Sequence, residues 1–201
     1  MLRLHSTSLR NDARLISHIH LVDVSLGPFV LPYLANKDSF LWPMRHAAIC
    51  LCDDLVEFAS PSAHELLGAM IPAILDILST ATEPVLRQAA AYGAAICAQH
   101  GGDAVTPHIK SMVEVLVAAV TASGARDGEL ENATDNAISA LVRFVMYRRG
   151  APGVDSDAIM SGAVAYLPIK ADGVEARSIH GLAVEAIAKS KFFVPLRFKT
   201  K

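Results

Sequence analysis

The strongest constraint in this chain is that it repeats. Arg45-His46-Ala47-Ala48 returns as Arg87-Gln88-Ala89-Ala90, 42 residues later. A similar helix start at Asn132-Ala133 lies 45 residues further on, and another at Glu175-Ala176-Arg177 about 44 after that. A period of this length belongs to units of two or three helices. A unit that small leaves an apolar face bare, so neighbours have to stack against it.

The stretches inside each period read as helices. Over 45–58, Ala47, Leu51, Leu55 and Phe58 share one face, with Asp53, Asp54 and Glu57 on the wetter side. Ser60-Pro61-Ser62 stops that helix, because proline cannot continue the ladder. Leu67, Ile71, Ile74 and Leu78 make the next stripe, with a bend or a helix start expected near Pro72. Thr82-Glu83-Pro84 is a start signal, and the helix after it is nearly all small residues until Gly101-Gly102 reverses the chain. Ile109, Met112, Val113, Leu116, Val117 and Val120 form the cleanest amphipathic stripe. Beyond the polar connector 123–128, helices are expected over about 131–147, 155–167 and 174–189, the last with a partner cut off around 192–198. No stretch alternates apolar and polar residues between hairpin turns, so no strand is predicted. The expected fold is all-α: a right-handed α–α superhelix of about four HEAT-type helix pairs, an ARM/HEAT solenoid, over residues 26–201, with 1–25 unplaced.

Composition removes several alternatives. The 201 residues are 52% hydrophobic and 19% charged, which leaves ample apolar surface to bury and excludes disorder as the main state. A formal net charge of −2 argues against binding nucleic acid through counterion release. The apolar runs fall short of the roughly 18–20 residues of a membrane span, so none is expected. Cys50, Cys52 and Cys97 are odd in number and fit a reducing compartment rather than a disulfide framework. Residues 1–20 set Arg3, Arg10 and Arg14 against the single acid Asp12, as in a mitochondrial presequence, although the ragged start of a fragment or a misplaced start codon is the favoured reading.

Catalytic and metal chemistry find no constellation. Cys50 and Cys52 point apart on a helix, so they read as core thiols rather than metal ligands. His18 and His20 fall in the unplaced segment. Ser60, Ser62 and His64 sit on no strained elbow, and Gly101-Gly102 and 124–128 lack a phosphate-cradling pattern. Arg143, Arg148 and Arg149 read as a basic cluster that complements the negative end of their helix. No enzyme, cofactor or metal is predicted.

Several strings together resemble the nuclear import receptors of the importin-β (β-karyopherin) family, and most of all the importin five, or Ran-binding protein five, type. They are Trp42-Pro43, Cys52-Asp53-Asp54-Leu55-Val56-Glu57, Ser60-Pro61-Ser62, Val85-Leu86-Arg87-Gln88-Ala89-Ala90-Ala91-Tyr92-Gly93, Ala98-Gln99-His100-Gly101-Gly102-Asp103, the 132–140 stretch Asn132-Ala133-Thr134-Asp135-Asn136-Ala137-Ile138-Ser139-Ala140, and Tyr166-Leu167-Pro168. Their order and spacing carry the resemblance from about Leu26 to about Ile187. Such receptors are several times longer, so the chain looks like a C-terminal portion of one. Many HEAT units place an Asp in the connector just before the Val-Arg pair. Here that neighbourhood is Thr80-Ala81-Thr82-Glu83, without an Asp to tie the connectors at that joint.

The resemblance implies a receptor segment that shuttles between cytoplasm and nucleus and binds protein cargo with basic localisation segments, the Ran GTPase or nucleoporin repeats. It implies neither nucleic acid nor membrane as a partner. The second helix of each unit would line the concave face. There Glu65 and Asp76 in one unit, and His108, Lys110 and Glu114 in the next, are the candidate protein-binding residues, the acids suiting a basic cargo segment. The alternative is a HEAT scaffold for a multiprotein complex with no transport role. If the chain is a fragment, bare apolar surface is expected around Phe29, Leu31 and Leu34 and around Phe192 and Phe193, with weak self-association as the result.

Overall fold

The structure, a computed structural model, describes residues 28–38 and 41–189. The unplaced segment 1–25 with its His18 and His20, and the Phe192–Phe193 patch, lie outside them. Among the described residues the regular structure is helical, with no strand. A short helix α1 (28–35) precedes α2 (Trp42–Ala59), α3 (Leu67–Thr80), α4 (Pro84–His100), α5 (Ile109–Thr121), α6 (Leu130–Tyr147), α7 (Ser156–Val164) and α8 (Gly173–Lys189). Two 3-10 turns, Ser62–Leu66 and Gly102–His108, lead into α3 and α5.

The period is visible in space. The first helices of successive units start at Trp42, Pro84, Leu130 and Gly173, which are 42, 46 and 43 residues apart. They stand side by side in the order α2, α4, α6, α8, while α3 rests on α4 and α5, α5 on α6, and α7 on α6. Three helix pairs and the first helix of a fourth are thus described, and the stack is a HEAT/ARM-type solenoid.

Residue size explains how the middle closes. Ala89, Ala90, Ala91, Gly93, Ala94, Ala95 and Ala98 of α4 are buried, and so is every residue of α6 from 133 to 145. With so little side chain between them, two helix axes can approach closely, and α4 and α6 make the broadest contact among the described helices. Phe144, Ile96 and Met112 fill what remains, each worth about 1.5–3 kcal/mol in transfer out of water.

The helix boundaries follow local chemistry. Pro84 opens α4, where its missing N–H costs nothing. Gly101 closes it, and Gly102 takes φ +56°, a conformation that favours glycine. The Asp155 carboxylate accepts from the Ala158 N–H at 3.0 Å and caps α7. Helix α3 begins at Leu67 and runs through Pro72.

Four sequence expectations change. Helix α2 is rotated from the predicted stripe: it buries Ala48, Ile49, Cys52, Leu55, Val56 and Ala59, while Ala47 is exposed and Leu51 and Phe58 are half-buried. Asp53 lies on the buried side rather than the wet one. Of the patch expected at the start of the stack, Phe29 is 72% exposed, but Leu31 is half-buried and Leu34 fully buried. Finally, Ser62–Thr80 and Gly102–Thr121 do reach the length and mean hydropathy of a membrane span. Their apolar residues Leu67, Met70, Ile74, Ile109, Met112 and Leu116 are buried in the core of the stack, as in core helices of a globular protein.

Candidate protein-interaction surface

The five candidate residues lie on α3, on α5 and in the turns that lead into them. Glu65 is exposed in the 3-10 turn before α3. Half-buried His108 ends the 3-10 turn before α5, and Lys110 and Glu114 are exposed one turn apart on α5, 3.9 Å from each other. At that distance and exposure the pair contributes little to stability and is open to other partners. Asp76 is different: its carboxylate accepts from Lys37 Nζ at 2.5 Å and Arg45 Nη2 at 2.7 Å. Partial burial works against its charge, but the hydrogen bonds and charges of Lys37 and Arg45 outweigh that and hold it below the usual carboxylate range. Asp76 therefore spends its charge inside the chain, tying α3 to α2 and to the residues after α1.

That tie is one of a row of polar clasps along the stack. Asp135 on α6 is fully buried and accepts from the backbone N–H groups of Lys170, Ala171 and Asp172 at 2.9, 2.8 and 3.4 Å. Its other oxygen accepts from Arg126 Nη1 at 2.7 Å, and the Arg126 guanidinium also lies 5.7 Å over the Tyr166 ring. The same connector gains a second hold where the Ile169 N–H donates to His180 Nε2 at 3.2 Å. Asp172 in turn caps α8, accepting from the Val174 and Glu175 N–H groups, and accepts from Asn136 Nδ2 at 3.2 Å. One and two helix turns further along α6, Ser139 and Arg143 both bond the buried Glu175 carboxylate of α8.

The basic cluster is put to other use than its own helix end. Arg143 is buried in the Glu175 clasp. Arg148 donates to the carbonyls of Ala98 and Cys97 at the end of α4, and Arg149 to those of Lys189 and Ala186 at the end of α8. Two adjacent arginines thus cap the helices on either side of α6.

Toward the start of the stack the joint is drier. Tyr92 of α4 donates to Glu57 of α2 at 2.8 Å, and beneath them Asp53 lies against Gly93. Asp53 Oδ1 is buried without a hydrogen bond. Burial, with the charges of Asp54 and Glu57 added, pushes this carboxyl well above the usual carboxylate range. Burial also raises the nearby thiols, Cys50 to about 11 and Cys97 further still, so they are inert core groups. None of Cys50, Cys52 and Cys97 is in a disulfide. Among the described residues no group of three or more His, Cys, Asp or Glu is placed to hold a metal ion.

Arg126, Asp135 and Asp172 stood outside the sequence expectations as site residues. Asp135 meets the connector 35 to 37 positions on, Arg126 the Tyr166 carbonyl 40 positions on and Asp172 the Asn136 amide 36 positions back, and such separations leave no local signal.

No family model matches the chain. It is similar to the "Probable importin-5 homolog" of Dictyostelium discoideum, at 30% identity over 139 residues, 68% of this chain and 13% of that protein. It is also similar to "Importin subunit beta-3" of Saccharomyces cerevisiae, at 25% identity over 137 residues, 62% of this chain and 12% of that protein. The matched stretch thus spans about an eighth of the length of these relatives. Both likenesses support kinship with the importin-β family.

Proposed function

We propose that this stack is a segment of a nuclear transport receptor of the importin five type, from the C-terminal portion of its superhelix, with residues 26–201 as the solenoid. The observation that carries the reading is the likeness to two importins over about two thirds of the chain, laid on helix pairs that repeat at HEAT spacing. In this reading the chain shuttles between cytoplasm and nucleus, takes protein cargo through basic segments, and shares with the rest of the receptor the binding of the Ran GTPase and nucleoporin repeats. It carries out no reaction of its own.

On this segment the exposed carboxylates Glu65 and Glu114 are the charges free to meet a basic cargo, with His108 and Lys110 beside them and Asp76 fixing the scaffold. Coulomb attraction of this exposed kind is screened by salt. The test is binding of a fluorescent lysine-rich localisation peptide by the 201-residue chain, alone and with Ran locked on GTP. Saturable binding that weakens in Glu65→Lys and Glu114→Lys and at raised salt is expected. Binding that ignores both charge reversals, or none at all, overturns the assignment of this face.

A further inference from the structure

The repeat makes one unit a control for the next. With a shift of 42 residues, Arg45 falls on Arg87, α3 on α5, and Asp76 on Ala118. In the first unit Arg45 sits in the notch between α1 and α3. It donates Nε to the Leu34 carbonyl at 3.1 Å and Nη2 to Asp76 at 2.7 Å. In the second unit Arg87 sits in the matching notch between α3 and α5, but the residue one period after Asp76 is an exposed Ala118. Arg87 is half-buried, and among the described residues its guanidinium makes neither hydrogen bond nor ion pair. Glu83, one turn earlier, does not reach it and accepts from the Thr82 hydroxyl instead.

The notch itself is open, about 70 Å³, and its lining includes the apolar Leu78, Ala119 and Leu130 and the polar Ser123. A half-buried guanidinium without a counter-charge is a standing electrostatic deficit, stronger as an anion site than an exposed lysine because part of its hydration is already lost. One unpaired cation between apolar walls matches a single negative charge better than a phosphate dianion, which calls for several donors.

We propose that the Arg87 notch receives a carboxylate side chain from a partner protein segment, in the place that Asp76 occupies beside Arg45, with an apolar neighbour of that carboxylate against Leu78 and Leu130. The occupant is an acidic–apolar peptide, and the site lies apart from the acids Glu65 and Glu114. It does not depend on the transport reading, since it follows from a pairing that one unit makes and the next omits.

The experiment titrates the ¹⁵N-labelled 201-residue chain with capped Leu-Glu-Leu and Leu-Gln-Leu tripeptides and follows the arginine Nε–H signals. The Glu peptide is expected to shift the Arg87 signal saturably, and the Gln peptide to bind at least tenfold more weakly. Arg87→Gln is expected to abolish the binding. Ala118→Asp restores the internal pair and is expected to weaken the Glu peptide at least tenfold in a chain that remains folded. Absence of a shift, equal binding of the two peptides, binding that survives Arg87→Gln or Ala118→Asp, or inorganic phosphate binding as tightly as the Glu peptide would each overturn the proposal.

Discussion

The joint between α2 and α4 and the joint between α6 and α8 solve the same problem with opposite means. Between α6 and α8 the chain inserts charge. Asp135 accepts three connector N–H groups and an arginine, Glu175 is bonded by Arg143 and Ser139, and Asp172 caps the incoming helix. Between α2 and α4 it removes side chain. Gly93 lets the helices close over Asp53, whose Oδ1 is left without a hydrogen bond. The polar joint is directional and holds one register, because each acceptor meets a specific donor. The small-residue joint relies on close approach, and its buried acid costs stability rather than adding it.

The contrast is sharpest at Asp135. Asp135→Ala leaves Arg126 and three connector N–H groups without their acceptor, and a loss of about 3–5 kcal/mol is expected in urea unfolding. Glu175→Gln comes next, at about 3 kcal/mol, because it strands the buried Arg143 charge. At the drier joint, Gly93→Ala sets a methyl 2.5 Å from Asp53 Oδ1 and is expected to cost about 2 kcal/mol through overpacking. A Gly93→Ala protein as stable as the parent would mean that the close approach there is dispensable.

Asp53→Asn should move stability the other way, by about 1 kcal/mol of gain near neutral pH. The sign follows from proton binding. A folded-state pKa held above the unfolded value of about 3.9 means that the native chain keeps a proton the unfolded chain has released. The Asp53 contribution to stability therefore falls as pH rises through that window, and the asparagine should flatten the fall. Asp76 has the reverse sign, since its depressed pKa gives stability that is present above the ordinary carboxylate range and lost as pH drops through the folded value. The smallest effect belongs to Lys110→Ala, within about 0.5 kcal/mol, because its 3.9 Å pair with Glu114 is exposed.

Much of the stack was legible in the sequence because its signals are local. Pro84 marks a helix start, Gly101 an end, and the stripe Ile109, Met112, Val113, Leu116, Val120 faces the core as its spacing requires. Val117, on the edge of that stripe, is 40% exposed instead. The orientation of α2 was not legible, because it carries apolar residues on two sides. Ala48, Cys52 and Val56 form one stripe, and Ala47, Leu51 and Phe58 another. Only the neighbour α4 decides between them, and that choice takes Asp53 inside. The clasps were illegible for a different reason: Asp135 meets its connector 35 residues on, and Arg148 meets α4 50 residues back. Asp76 reads in the sequence as a protein-binding acid, but its charge meets Lys37 and Arg45, which come from a different loop and helix.

If each unit leans only on its neighbours, a break at one joint should stay near that joint. Hydrogen exchange of Asp135→Ala against the parent tests this most directly. Faster exchange confined to α7, α8 and the 165–172 connector, with α2 and α3 unchanged, is the expected result. Acceleration of equal size in every helix would contradict it, because a chain that loosens everywhere at once is a single cooperative bundle and not a stack of units.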